Sequence, residues 1–107
     1  MTATPPLPKL LDRRRLHEGR VVNLRVDTIQ GAHGQPLVRE VVEHPGGVCA
    51  LPVLPDGRLL LVRQFRYPLG GDLLEFPAGK LDVPGETPLD AMKRELWEET
   101  GYRAETW

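Results

Sequence analysis

Three glutamates crowd a short stretch near the end of the chain: Glu95, Glu98 and Glu99. In a helix, Glu95 and Glu99 stand at i and i+4, and like charges in this relation destabilise an isolated helix by about 0.2–0.5 kcal/mol per pair. Arg94 lies four residues before Glu98 and offsets only part of this charge. Carboxylate oxygens suit a hard divalent cation such as Mg2+ or Mn2+. The pattern therefore indicates a metal site, with an exposed acidic helix face as the alternative.

The residues before this helix favour the metal interpretation. Glu86 precedes the helix, and a loop dense in Pro and Gly, residues 77–85, precedes Glu86. Backbone groups of such a loop, beside a row of carboxylates, can hold a metal and phosphate oxygens together.

A helix beginning at Pro88 must position these glutamates. Thr87 suits the N-cap, Pro88 suits the first turn, and Asp90 lies where the helix dipole favours a carboxylate. Gly101 is the expected C-terminal stop. Three apolar residues at helical spacing form its expected buried stripe: Leu89, Met92 and Leu96.

Short alternating or apolar runs precede the helix and predict strands. They cover residues 19–29, 37–43, 48–54, 59–65 and 73–76. Asp56-Gly57 between the third and fourth runs predicts a hairpin. The order of strands, then a loop, then a helix predicts an α+β fold. We expect a flexible leader over residues 1–18, including a solvated basic run from Arg13 to Arg15, then a β segment over 19–44 and the main domain over 45–107.

Composition excludes several function classes. The chain has 107 residues, 40% hydrophobic and 27% charged, which is typical of one soluble globular domain. A net charge of −1 leaves no basic surplus for a nucleic acid backbone. Because the sequence has neither a membrane-length apolar run nor a signal-peptide pattern, we expect a cytoplasmic protein without nucleic acid or membrane partners. Cys49 stands in an apolar run, so we expect it to be buried and inert.

The segment from Gly79 to Tyr102 resembles the Nudix box, G-x5-E-x7-R-E-U-x-E-E-x-G-U, in which U is apolar. Every defined position from Glu86 onward matches, with Tyr102 as the final bulky residue. Six residues instead of five separate Gly79 from Glu86, so the loop carries one extra residue. The resemblance implies a Nudix-type α/β/α sandwich with a mixed sheet, of which this chain would hold the N-terminal half, preceded by a small antiparallel β segment.

Three upstream segments, residues 39–48, 62–68 and 75–80, are similar to the ADP-ribose pyrophosphatase branch of that family. The resemblance implies metal-dependent hydrolysis of ADP-ribose or a related nucleoside diphosphate sugar to AMP and a sugar phosphate. It also implies a homodimer paired through the N-terminal strands. The alternatives are another Nudix nucleotide pyrophosphatase, or a catalytically silent nucleotide-binding or dimerisation module. The crowded glutamates of the helix argue against a module without catalytic activity, because such a module has no physical need for this repulsive set of charges.

The resemblance also implies which residues would bind Mg2+ or Mn2+. Glu95 and Glu99 share a face and would bind the metal directly. Glu86 would be an additional ligand or would support the others. The backbone carbonyl of Ala78 would complete the set.

The remaining roles follow from the same resemblance. Glu98 would be a ligand or the partner of Arg94, and Arg94 would orient the glutamates during catalysis. Arg66 would contact substrate phosphates, with a surface arginine at a strand end as the alternative. Arg39 would reach the substrate of a partner subunit. Glu75 would bind substrate or cap its loop.

Family members continue well beyond the box, whereas this sequence stops at Trp107. We therefore expect a fragment that lacks later strands, a covering helix and the residue that positions the attacking water. Such a fragment would bind metal weakly and turn over poorly.

Overall fold

The computed structural model describes residues 4–107, so the first three residues of the expected leader lie outside the described part. The chain divides between Pro45 and Gly46 into two compact units. The N-terminal unit contains three strands: β1 (Leu10–Glu18), β2 (Asn23–Gln30) and β3 (Pro36–Glu43). The C-terminal unit contains four strands and two helices: β4 (Gly47–Cys49), β5 (Val62–Arg66), the 3-10 helix Tyr67–Leu69, β6 (Gly71–Glu75), β7 (Ala78–Lys80) and α1 (Pro88–Thr100). The predicted α+β class is confirmed.

The N-terminal unit is an antiparallel sheet in the order β1-β2-β3. The prediction of a flexible leader through residue 18 was wrong for residues 10–18, which form β1. The register places Arg13 opposite Asp27, and the Arg13 guanidinium donates to both Asp27 carboxylate oxygens at 2.8 and 3.1 Å. Arg15 forms the same kind of two-bonded pair with Glu43 at 3.0 and 3.2 Å. Arg13 and Arg15 of the basic run therefore form ion pairs with carboxylates of β2 and β3.

Asp27 gives this sheet a predicted acid sensitivity. It is 6% exposed, and hydrogen bonds from Arg13, with help from Arg25, hold its pKa below the ordinary 3.8. A carboxylate with a lowered folded pKa stabilises above its unfolded pKa, and that contribution is lost as pH falls through the folded value. We expect Asp27→Asn to lower the unfolding temperature at pH 7 and to flatten its dependence on pH below about 4. Thermal unfolding from pH 7 to pH 2 checks this.

Asp12→Asn is the matched control, because Asp12 lies on β1 of the same sheet and is exposed. It should follow the wild-type curve. Parallel curves for wild type and Asp27→Asn across the acid range would contradict the assignment.

The predicted hairpin around Asp56-Gly57 is reduced to a turn. A single bridge joins Val53 to Leu59, and the Leu54 N–H donates to the Arg58 carbonyl at 2.8 Å. In place of the long strands expected over 48–54 and 59–65, the structure has the shorter strands β4 and β5. Pro52 and Pro55 explain the difference, because proline has no N–H to donate to a ladder.

Strand β7 falls in the segment expected to be a loop. It pairs antiparallel with β4, with Cys49 opposite Ala78 and Gly47 opposite Lys80. Its partner lies about thirty residues earlier, so no local pattern revealed it. Cys49 is exposed in this two-stranded pair, so the prediction of a buried thiol was wrong. All pairings among the described residues are antiparallel.

Helix α1 begins and ends where the sequence predicted. The Thr87 hydroxyl accepts from the Asp90 N–H at 3.1 Å, and Gly101 ends the helix with φ of 74°. Met92 and Leu96 are buried as expected, together with Ala91, and the helix contacts β7 and β4. Leu89 is 48% exposed, so its place in the buried stripe was wrong. No helix within residues 4–107 is long and apolar enough to cross a membrane.

Candidate active site

Helix α1 brings two of its glutamates, Glu95 and Glu99, against the backbone of β7. A side chain at Gly79 would overlap the carboxyl group of Glu95, so Glu95 lies directly over this glycine. The Ala78 N–H donates to Oε2 of Glu99 at 3.4 Å. The close approach of Glu95 explains why residue 79 is a glycine, since any side chain there would occupy the place of the Glu95 carboxylate. Two sequence-predicted ligands, Glu95 and Glu99, meet the strand that carries a third, Ala78.

Arg94 is the centre of a cluster with three of the four predicted glutamates. Its Nε and Nη2 donate to the two oxygens of Glu86, both at 2.9 Å. Its Nη1 donates to Glu95 and to Glu98, both at 3.1 Å. This hydrogen bonding raises the pKa of Arg94 and lowers the pKa of Glu86, chiefly through the Arg94–Glu86 pair. At neutral pH, Arg94 is therefore a fixed cation that orients Glu86, Glu95 and Glu98.

The extra residue between Gly79 and Glu86 is absorbed in a turn. The Leu81 N–H donates to the Gly46 carbonyl at 3.0 Å, and the Glu86 N–H donates to the Val83 carbonyl at 3.3 Å. Gly85 adopts φ of 79° within this turn. Glu86 consequently reaches Arg94 despite the longer loop.

Glu99 differs from Glu86, Glu95 and Glu98, because it accepts from the backbone N–H of Ala78, whereas they accept from the Arg94 guanidinium. Partial burial raises its pKa, and the negative charge of Glu95 raises it further, against the opposing hydrogen bond from the Ala78 N–H. A half-buried carboxylate beside a second one is costly to ionise unless a cation is near. Glu95 and Glu99 thus form the part of the cluster that a metal would stabilise most.

The donor set fits a divalent cation, although the side chains are not gathered around one point. Within residues 4–107, no three acidic, histidine or cysteine side chains converge as a ready metal site. Arg94 forms ion pairs with Glu86, Glu95 and Glu98. Two carboxylates beside a strand backbone are nevertheless the hard oxygen donors that Mg2+ and Mn2+ prefer. Ala78 contacts the cluster through its N–H, and the role of its carbonyl stays a prediction.

Strands β5 and β6 bring two predicted substrate-binding residues together. Nε of Arg66 lies 2.9 Å from both carboxylate oxygens of Glu75. Nη2 of Arg66 donates to Oε1 of Gln64 at 2.5 Å. The pairing explains this, because Val62 lies opposite Glu75 and residues two apart on β5 share its face. Sequence reasoning missed Gln64, whose alternation with Arg66 was the available signal.

Arg39 lies in the N-terminal unit, on β3. It is opposite Asp27 in the register, its side chain is exposed, and it donates to the Val38 carbonyl at 3.0 Å. Its role in binding a partner's substrate stays a prediction.

Gly79→Ala tests the close approach of Glu95. The added methyl must displace the Glu95 carboxyl group, and a misplacement of about 1 Å at a catalytic group lowers rates by about a hundredfold. We expect Mn2+ binding and hydrolysis both to weaken, measured by calorimetry and by product release.

Gly71→Ala is the control for this substitution, because a methyl group there meets nothing within 4 Å. It should preserve Mn2+ binding. Equal Mn2+ affinity in the Gly79→Ala and Gly71→Ala variants would show that Glu95 does not need its place over Gly79.

Comparisons with known proteins agree with this geometry. The chain is 42% identical over 96 residues to an ADP-ribose pyrophosphatase of Bacillus subtilis (strain 168), covering 90% of this chain and 51% of that protein. It is 41% identical over 97 residues to a methanol dehydrogenase activator of Bacillus methanolicus, covering 91% of this chain and 52% of that protein. A crystal structure of an ADP compounds hydrolase superposes with a TM-score of 0.77 at 26% identity, covering 97% of this chain and 56% of that one.

The chain thus spans about half the length of the curated relatives it matches. Residues 43–107 match the NUDIX domain, and they include β7, helix α1 and the four glutamates Glu86, Glu95, Glu98 and Glu99. On that match and on the shared fold, the chain belongs to the Nudix family.

Proposed function

We propose that the protein carrying this chain hydrolyses the pyrophosphate of ADP-ribose, or of a related nucleoside diphosphate sugar, with the help of Mg2+ or Mn2+. The placement of Glu95 and Glu99 against the backbone of β7 carries the proposal. The relatives named for ADP-ribose and for ADP compounds support this choice of substrate class. The expected products are AMP and a sugar phosphate, ribose 5-phosphate when ADP-ribose is the substrate.

Each residue of the site has a part in this chemistry. Glu95 and Glu99 would hold the divalent cation, which when bound polarises phosphate oxygens and lowers the pKa of water. Arg94 keeps the Glu95 carboxylate oriented and, through Glu86, fixes the start of the helix to the loop. Glu98 acts through its contact with Arg94. Each of these contacts exists before substrate arrives, so little reorganisation is needed during the reaction.

Arg66 is the residue we assign to the substrate phosphates. Glu75 and Gln64 engage its Nε and Nη2, so Nη1 is the nitrogen left for a phosphate oxygen. A guanidinium held from behind by a carboxylate loses less side-chain entropy when it binds phosphate. Glu75 would therefore orient Arg66 toward the substrate.

Product analysis tests the proposed reaction. The intact protein is incubated with ADP-ribose and Mg2+ or Mn2+, and AMP and ribose 5-phosphate are separated by ion-exchange chromatography. We expect equal amounts of the two products and none in the presence of EDTA. A parallel panel of other nucleoside diphosphate sugars and nucleoside triphosphates identifies a different Nudix substrate. No cleavage of any of them would support the catalytically silent module instead.

We further propose that the N-terminal unit mediates homodimerisation. Val38 and Val42 lie on one face of β3 and are 60% and 63% exposed, which leaves apolar surface for a second copy to cover. Light scattering of the intact protein at micromolar concentration tests this, and a monomer mass would contradict it. A cytoplasmic location also stays a prediction.

A further inference from the structure

A small cavity in the C-terminal unit has two cationic side chains in its wall. Its volume is about 260 Å³, and it is lined by Lys93, Arg103, Ala104 and Trp107. Lys93 stands two residues before Glu95 on α1, so the two side chains leave the helix roughly 200° apart. The cavity therefore lies away from the face of α1 that carries the candidate metal ligands, and its lining residues have no part in the proposed hydrolysis.

Neither cation of the cavity has a carboxylate partner. The ion pairs within residues 4–107 include neither Lys93 nor Arg103. By contrast, Arg58, Arg66 and Arg94 of the same unit each pair with an aspartate or a glutamate. Two uncompensated cations on one concave surface make its electrostatic potential positive, and this favours an anionic ligand.

The Arg103 side chain is already held at the cavity by an aromatic ring. Its guanidinium carbon lies over Trp97, 4.0 Å from the ring centroid. Trp97 is four residues after Lys93, so both leave α1 on the same face. A guanidinium stacked on a ring keeps N–H groups at its edge for hydrogen bonds to a phosphate. Because Arg103 is ordered beforehand, it loses less side-chain entropy when an anion binds.

Trp107 gives the same cavity an aromatic wall. Its Nε1 donates to the Ala104 carbonyl at 3.2 Å, and its side chain remains 47% exposed. Exposed aromatic rings stack nucleobases, and in positively charged grooves they combine with cations that bind the phosphate. The volume is close to the lower end of small-molecule pockets, which span about 300–1,000 Å³. A mononucleotide has the size and the two chemical ends that this lining would recognise.

We propose that this cavity binds a nucleoside monophosphate, with the phosphate between Lys93 and Arg103 and the base against Trp107. The site is distinct from the candidate active site, and it does not depend on the proposed hydrolysis. AMP is the probe we choose, because it carries one phosphate and one base.

Calorimetric titration of the intact protein with AMP in EDTA tests the phosphate end. Without divalent cations, the carboxylates on the other face of α1 repel a phosphate, so they do not compete for it. We expect Lys93→Gln and Arg103→Gln each to weaken AMP binding by about tenfold, since each removes a charge-assisted hydrogen bond. Unfolding temperatures equal to that of the wild type show that these variants are folded.

Arg58→Gln is the matched control for the loss of one cation. Arg58 belongs to the same unit, is exposed and already pairs with Asp56, and it does not line the cavity. Arg58→Gln should bind AMP with the wild-type affinity.

Ribose 5-phosphate and inorganic phosphate test the base end, because both carry phosphate and lack a base. We expect each to bind more weakly than AMP. Trp107→Leu should lower the affinity for AMP to that for ribose 5-phosphate, whereas Trp107→Phe, which keeps a ring for stacking, should retain most of it.

A wild-type protein that does not bind AMP in EDTA would overturn the inference. AMP affinities of Lys93→Gln and Arg103→Gln equal to wild type would overturn it as well. Equal affinities of the wild type for AMP and ribose 5-phosphate would refute the place of the base on Trp107. Failure of the proposed function is seen separately, as no release of AMP from ADP-ribose by the wild-type protein.

Discussion

Replacing Glu99 with glutamine is expected to lower kcat/KM for ADP-ribose by about a thousandfold, or about 4 kcal/mol of transition-state stabilisation. Glutamine keeps the size of the side chain and can still accept from the Ala78 N–H, but it lacks the charge that would bind a cation. Partial burial and the nearby Glu95 make this carboxylate the one with most need of a cation. Initial rates of AMP release over a range of Mg2+ concentrations measure the effect.

Glu105→Gln is the control for this experiment, because Glu105 is an exposed glutamate of the same unit outside the cluster. It should retain the wild-type rate. Mn2+ binding without substrate should weaken in Glu99→Gln alone. A Glu99→Gln variant with an unchanged rate and unchanged Mn2+ affinity would refute the metal assignment.

Replacing Arg94 with lysine is expected to lower kcat/KM by about 10- to 100-fold, although the charge is retained. Lysine offers a single ammonium group, whereas the Arg94 guanidinium donates in parallel to Glu86 and also reaches Glu95 and Glu98. Without the hydrogen bond from the Arg94 guanidinium, Glu95 can move away from Gly79. The measurement is kcat/KM together with Mn2+ affinity.

Arg103→Lys provides the same substitution outside the cluster, where the guanidinium lies over the Trp97 ring, 4.0 Å from its centroid. It should change neither kcat/KM nor Mn2+ affinity. If Arg94→Lys behaved like Arg103→Lys, the charge of Arg94 would matter and its hydrogen-bond geometry would not.

Helix α1 shows what local sequence determines. Thr87, Pro88 and Gly101 set its ends through contacts within a few residues, so the helix was predictable without knowing what it packs against. The spacing of Glu95 and Glu99 was likewise enough to predict that they share a face, because helix geometry alone places residues i and i+4 side by side.

The wrong secondary-structure predictions concern segments that pair with distant parts of the chain. Strand β7 was expected to be a loop, and residues 10–18 were expected to be a flexible leader. Each became a strand because a partner elsewhere in the chain completed its backbone hydrogen bonds, β4 for the first and β2 for the second. Periodicity within a segment carries no information about such a partner.

The sequence by itself therefore determined the α+β class, the helix and the set of glutamates on it. Tertiary structure decided how that set is used: Glu95 over Gly79, Glu99 at the Ala78 N–H, and Arg94 tying Glu86 to the helix. It also brought Gln64, Arg66 and Glu75 together across β5 and β6. The physical reason is common to these contacts. Strand register and helix docking join residues far apart in sequence, whereas capping and helical spacing act within a few residues.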